Sequence, residues 1–214
     1  MIEEVDIEPW NDVAPAAWMR PRLRPFKDFS AGSVIPIGFD AYARIDNENY
    51  GRLGEAACRA LIEVLVRHTS APEMLWLAVW SGYGGLYPGG SMASLRAFWV
   101  GPGDPPPPPS DQPALRRVPQ RDRHDPLIRH ESREFLLYRG RPEVVPGWLE
   151  GPNLWWPDDQ AWCVATEIDL PWTYVGGSSE LIAEVLGDRE LKAKALSLDE
   201  STAAADHPEL GQPS

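Results

Sequence analysis

The sequence predicts an α+β fold, a mainly antiparallel sheet with helices segregated on one face. Short apolar or alternating runs are separated by loops rather than by regular crossover helices. Few segments show helical periodicity, and 23 prolines and 18 glycines in 214 residues disfavour a bundle of long helices. A sandwich-like β protein is the alternative. The length fits one domain with appendages and suffices for a core without disulfides, to which ten Trp, six Tyr and five Phe contribute.

Residues 1–30 read as an N-terminal arm, acidic at first and then interrupted by Pro21 and Pro25, with Trp10, Trp18 and Phe26 stapling it to the body. Residues 31–196 are expected to form the single α+β domain. Within it, the alternation of Phe39, Ala41, Ala43 and Ile45 after Pro36 reads as an edge strand. Residues 54–68 form the clearest helix: Ala57, Leu61, Val64, Leu65 and His68 recur at helical spacing, opposite a polar stripe of Arg59, Glu63 and Arg67. Residues 74–80 are continuously apolar and short, which favours a buried strand, and a second strand is expected around 97–100.

A Pro/Arg-rich excursion follows at about 101–131. Its seven prolines over 101–113 favour polyproline II, as a stiff spacer or as a ligand for a proline-recognising domain. A third strand begins at Glu134 and a fourth covers 162–169, with a Trp155–Asp159 turn before it. Gly176 and Gly177 read as the turn into a last helix capped by Ser178 or Ser179. Leu181, Ile182, Val185 and Leu186 give it an inward face, and Gly187 is its stop. A weaker helix is expected over 189–195, and 197–214 reads as a disordered tail.

The formal net charge is -12, unevenly spread. Residues 116–141 carry eight Arg against four acids, whereas residues 150–214 carry thirteen acids against three bases. The basic stretch reads as a solvated or internally paired loop, because the field of the whole molecule opposes nucleic acid. Cys58 and Cys163 sit in apolar surroundings, as small buried hydrophobes do. The N-terminal residues show no basic and apolar signal pattern, and no apolar run approaches the roughly 20 residues of a membrane span. These features predict a cytoplasmic protein without membrane contact.

Candidate chemistry concentrates in 153–188. Strand alternation over 162–169 sends Trp162, Val164, Thr166 and Ile168 to one face and Cys163, Ala165, Glu167 and Asp169 to the other. Glu167 and Asp169 then lie side by side, able to divide acid and base roles or to form the solvent-facing end of the strand. Asp158 and Asp159 follow Trp155, Trp156 and Pro157, a combination like that of sugar sites, where rings stack and carboxylates bind or catalyse; a turn between core aromatics explains the same residues. Weak catalytic candidates are therefore Glu167, Asp169 and Asp158, and binding candidates add Trp155, Trp156 and Asp159. His68, His124, His130 and His207 lack zinc spacing, so neither a metal nor another cofactor is expected.

Three segments together resemble a family of soluble actinobacterial proteins over roughly residues 10–196. They are Ile35-Pro-Ile-Gly-Phe-Asp-Ala-Tyr-Ala-Arg-Ile, Trp80-Ser-Gly-Tyr-Gly, and Leu154-Trp-Trp-Pro-Asp-Asp-Gln-Ala-Trp-Cys-Val-Ala-Thr-Glu-Ile-Asp with Thr173-Tyr-Val-Gly-Gly-Ser. The resemblance implies a bacterial cytoplasmic protein and carries no activity with it. The spacing of Pro36, Phe39 and Tyr42 is also similar to that of the SUKH immunity superfamily.

Two functional expectations result. The first is a non-catalytic binding or interaction protein whose acidic surface, centred on 155–169, suits a basic protein partner; immunity against a toxin is one instance. The alternative is an enzyme or ligand-binding module that holds a sugar-like or polar small molecule in the Trp and carboxylate site.

Overall fold

A computed structural model describes residues 7–47, 52–89, 119–131, 133–146, 148 and 151–202. The strand expected at 97–100, the proline run and His207 lie outside the described residues. The fold is α+β, and the described residues form nine strands in one sheet: β1 (Ile7–Trp10), β2 (Ala41–Asp46), β3 (Leu75–Trp80), β4 (Ile128–His130), β5 (Arg133–Gly140), β6 (Leu154–Pro157), β7 (Cys163–Thr166), β8 (Trp172–Gly177) and β9 (Lys194–Ala195). Their order is β1-β5-β3-β6-β7-β8-β2-β9, and β4 pairs β5 beside β1. All of these pairings are antiparallel.

Both helices among the described residues, α1 (Glu55–Leu65) and α2 (Ser179–Gly187), pack on one face. Leu61 and Leu65 of α1 and Leu181 and Val185 of α2 meet Ile45, Leu77, Tyr138, Val164 and Val175 there. The Ser178 hydroxyl caps α2 by accepting the Leu181 N–H at 3.1 Å. Leu186, expected to face inward, is 38% exposed because the short helix presents its three other apolar residues to the sheet.

The opposite face is covered as well. Residues 11–37 pass over it as a series of short turns, and Met19, Ala31 and Ile35 pack against Trp76, Leu137, Trp156 and Tyr174. A sheet buried on both faces accounts for the unbroken apolar run of β3: Leu75, Leu77 and Val79 point to the helices, and Trp76 and Ala78 to the arm.

Several local readings need correction. The Trp155–Asp159 turn is mostly strand: β6 pairs β3 with Trp156 opposite Trp76 and Trp155 opposite Leu77, and only Asp158 and Asp159 turn. Gly176 and Gly177 belong to β8 rather than to a turn. A Cβ on Gly176 would lie 2.7 Å from Phe39 Cδ2, and one on Gly177 only 2.4 Å from Leu181 Cδ2, so close packing requires them. The fourth strand ends at Thr166; Glu167 and Asp169 lie in a turn closed by a 3.1 Å bond from the Leu170 N–H to the Glu167 carbonyl.

The helix expected over 189–195 is replaced by a turn, in which Asp188 Oδ1 accepts the Glu190 and Leu191 N–H groups, and then by β9. Residues 197–202, expected to begin the disordered tail, cross the arm instead. The Ala31 N–H donates to the Glu200 carbonyl at 2.9 Å and the Thr202 N–H to the Phe29 carbonyl at 2.7 Å.

Candidate functional site

Neither Trp155 nor Trp156 offers a ring to a ligand, which corrects the stacking role considered for them. They are 3% and 0% exposed: Trp155 packs edge-on against Trp162 at 5.6 Å on the helix face, and Trp156 against Trp18 at 6.0 Å on the arm face. An alternating pair in a strand covered on both sides goes into both cores.

Asp158 and Asp159 are engaged in structure. Asp158 accepts Trp76 Nε1–H at 2.5 Å and pairs with Arg139 at 2.7 Å, whose guanidinium lies over the Trp76 ring. Asp159 gathers the Thr69 hydroxyl, the Ser70 N–H and hydroxyl, and the Ala161 N–H, all within 3.1 Å. Desolvation raises its pKa, but these donors outweigh that effect and hold the carboxyl below its ordinary value. The ionised form therefore stabilises the fold; its contribution is complete above the ordinary pKa of 3.8 and is lost as the pH falls through the lower folded value. Asp159→Asn, which turns an NH₂ toward donors, is expected to lower stability at neutral pH by about 1 kcal/mol, limited by solvent exposure. In urea unfolding, the gap to the wild type should close on acidification.

The thiols are closed to chemistry. Cys163 is fully buried and its pKa is raised by burial, while burial pushes Cys58 up to about 12. Among the described residues no three His, Cys, Asp or Glu side chains gather as metal ligands.

Glu167 and Asp169 do meet, around a residue that the sequence did not single out. Arg133 precedes Phe135 and Leu137 by two and four positions in β5, so it faces the arm with them. Its Nη2 lies 2.9 Å from Glu167 Oε1 and 3.6 Å from Asp169 Oδ2. Glu167 is 8% exposed, whereas the Asp169 side chain is 75% exposed, so one carboxylate is inside and the other at the lip. Burial raises the Glu167 pKa against the opposing effect of Arg133. Phe26 of the arm lies over the guanidinium at 4.8 Å, and Glu131 holds that ring in place by accepting the Phe26 N–H at 2.7 Å.

Arg133, Glu167 and Phe26 line a small cleft between arm and sheet, with Leu23, Val34, Phe135 and Leu154 as apolar walls. Other polar groups at its wall serve the fold: Asn153 accepts the Trp80 N–H and donates to the Thr166 carbonyl, and His130 Nε2 lies 3.1 Å from the Arg24 carbonyl. Arg133 Nε–H is different, being buried without an acceptor among the described residues. An arginine at an inward position of an apolar strand was the sequence signal for this site.

Beside the cleft, Phe29 is 56% exposed and held at φ 45, a conformation that bulky residues avoid. Its N–H donates to the Phe26 carbonyl at 3.1 Å, and its carbonyl accepts the Thr202 N–H. No described helix is long and apolar enough to cross a membrane. Compared with known proteins, the chain matches no family model, no curated sequence and no solved structure.

Proposed function

We propose that this chain is a non-catalytic interaction protein of the bacterial cytoplasm that captures a basic protein partner, immunity against a toxin being one instance. The observation that carries this reading is Phe29, an aromatic ring fixed in the open by backbone bonds on both sides. Interfaces concentrate their binding energy in such anchors, and left-handed backbone in a bulky residue accumulates where function requires it. Two carboxylates around the single Arg133 cation leave Asp169 as a negative lip nearby, in keeping with the net charge of -12. Such a surface speeds the capture of basic partners and repels nucleic acid. Within the expected acidic patch at 155–169, Arg139 offsets Asp158, while the exposed Asp159, held only by neutral donors, adds its charge to that of Asp169.

Cross-linking in host-cell extract with mass spectrometry tests this. The wild type should recover a basic protein that both Phe29→Ala and Asp169→Lys lose, each variant keeping its melting temperature. Identical profiles for all three proteins would refute the reading.

A further inference from the structure

We infer that residues 197–202 form a latch that sets the Phe29 anchor: closed over the arm, they keep residue 29 left-handed with its ring in the open, and released they let that loop relax. This inference rests on the capture reading above and adds its regulation. Three backbone bonds to residues 29–32 close the latch. The Thr202 N–H donates to the Phe29 carbonyl at 2.7 Å, and the Ala31 and Gly32 N–H groups donate to the Glu200 and Leu198 carbonyls at 2.9 and 3.1 Å. Ser30 and Ser201 stand opposite each other as an antiparallel bridge. Two ion pairs add to these bonds, Arg24 with Asp199 at 2.6 Å and Arg44 with Glu200.

A bulky residue stays left-handed only where its surroundings over-determine it. At Phe29 two backbone bonds do so: its N–H reaches the Phe26 carbonyl within the arm, and its carbonyl accepts the Thr202 N–H from the latch. Release of the latch removes the second and leaves one local bond. The latch is also the weaker part of the fold. Within 197–202 only Thr202 is buried, and the Asp199 side chain is 82% exposed, so its pair with Arg24 is screened by salt. A segment with so little buried surface opens more readily than the sheet beneath it. Latch closure and presentation of Phe29 are thus coupled, and whatever draws the latch away withdraws the anchor.

Native-state hydrogen exchange followed by NMR tests the latch without any partner. The Ala31, Gly32 and Thr202 amides should share one opening constant, roughly tenfold or more above that of the β3 amides. Glycine adopts the left-handed region at no steric cost and alanine does not. The Thr202 amide should therefore exchange about fivefold more slowly in Phe29→Gly than in Phe29→Ala, both of which lack the ring. Thr202→Pro deletes the N–H that meets the Phe29 carbonyl and leaves the ring and the charges in place. In the host-extract cross-linking it should lose most of the basic protein that the wild type recovers, with β3 exchange unchanged. Independent opening of the three amides, equal exchange in the glycine and alanine variants, or undiminished recovery by Thr202→Pro would overturn the latch. If the wild type recovers no basic protein, the capture reading alone fails, and the glycine and alanine comparison still decides the latch.

Discussion

Arg121→Ala is expected to be the most damaging single substitution of a charged residue, lowering the unfolding free energy by about 3–5 kcal/mol in urea denaturation. The side chain is fully buried, and its guanidinium spans three parts of the fold. Nε pairs with Asp125 at 2.6 Å, Nη1 donates to the Leu137 carbonyl at 2.6 Å in β5, and Nη2 donates to Asn11 Oδ1 at 2.9 Å in the arm. The Tyr138 ring lies 5.1 Å from the guanidinium carbon. Truncation strands the buried Leu137 carbonyl and unpairs Asp125 and Asn11 at the same time, so the loss exceeds the worth of any one bond. Arg121→Lys should recover little, because an ammonium group cannot reproduce a planar fork with three fixed directions. The Arg121 hydrogen bond also holds the Asp125 pKa below its ordinary value despite burial. In the alanine variant that carboxyl should titrate higher by NMR, so the aspartate loses its acid-resistant contribution at the same time.

Trp156→Ala should cost a similar amount, about 3–5 kcal/mol. The ring is 0% exposed at the middle of the arm-facing core, edge-on to Trp18 at 6.0 Å. Removing it opens a cavity under the arm, so limited proteolysis should cut residues 11–40 faster than the sheet. The same experiment separates the two roles the sequence allowed for this tryptophan. A ligand-stacking ring would leave the melting temperature nearly unchanged when removed; a core ring lowers it.

Several elements were legible because one physical signal governed each of them. The helix over 54–68 followed from apolar recurrence every three or four residues, and α1 with its following turn through His68 occupies that span. The strand over 74–80 followed from brevity and flanking Pro and Gly, and β3 lies within it. β6 and β8 were harder. With both faces covered, a strand does not alternate, and Pro157, Gly176 and Gly177 speak locally for turns. Their strand character comes from neighbours distant in sequence: Pro157 stands at the strand end opposite Leu75, and Gly176 fits under the Phe39 and Tyr42 rings. For the site, Glu167 and Asp169 were found by their chemistry, although the strand face invoked for them ends before they begin. Arg133 was passed over because eight arginines lie between 116 and 141, and local sequence does not mark the one that turns inward.

The crossing of residues 197–202 over the arm bears on the order of assembly. Arg24 bonds to the Leu198 carbonyl across a separation of 174 residues, and the Ala31 and Gly32 N–H groups donate to the Glu200 and Leu198 carbonyls. Such contacts cannot form while the ribosome is still extending the chain through β8. Met19, Ala31 and Ile35 can lie on Trp76, Leu137 and Trp156 once β3, β5 and β6 exist, but the backbone bonds that pin the arm from outside await residues 198–202. A nascent chain therefore passes through a stage in which the arm is held to the sheet by side-chain packing alone. Until residues 198–202 arrive, the Ala31 and Gly32 N–H groups lack the carbonyls they meet in the finished fold, so the arm is the part of the structure most open to detachment during synthesis.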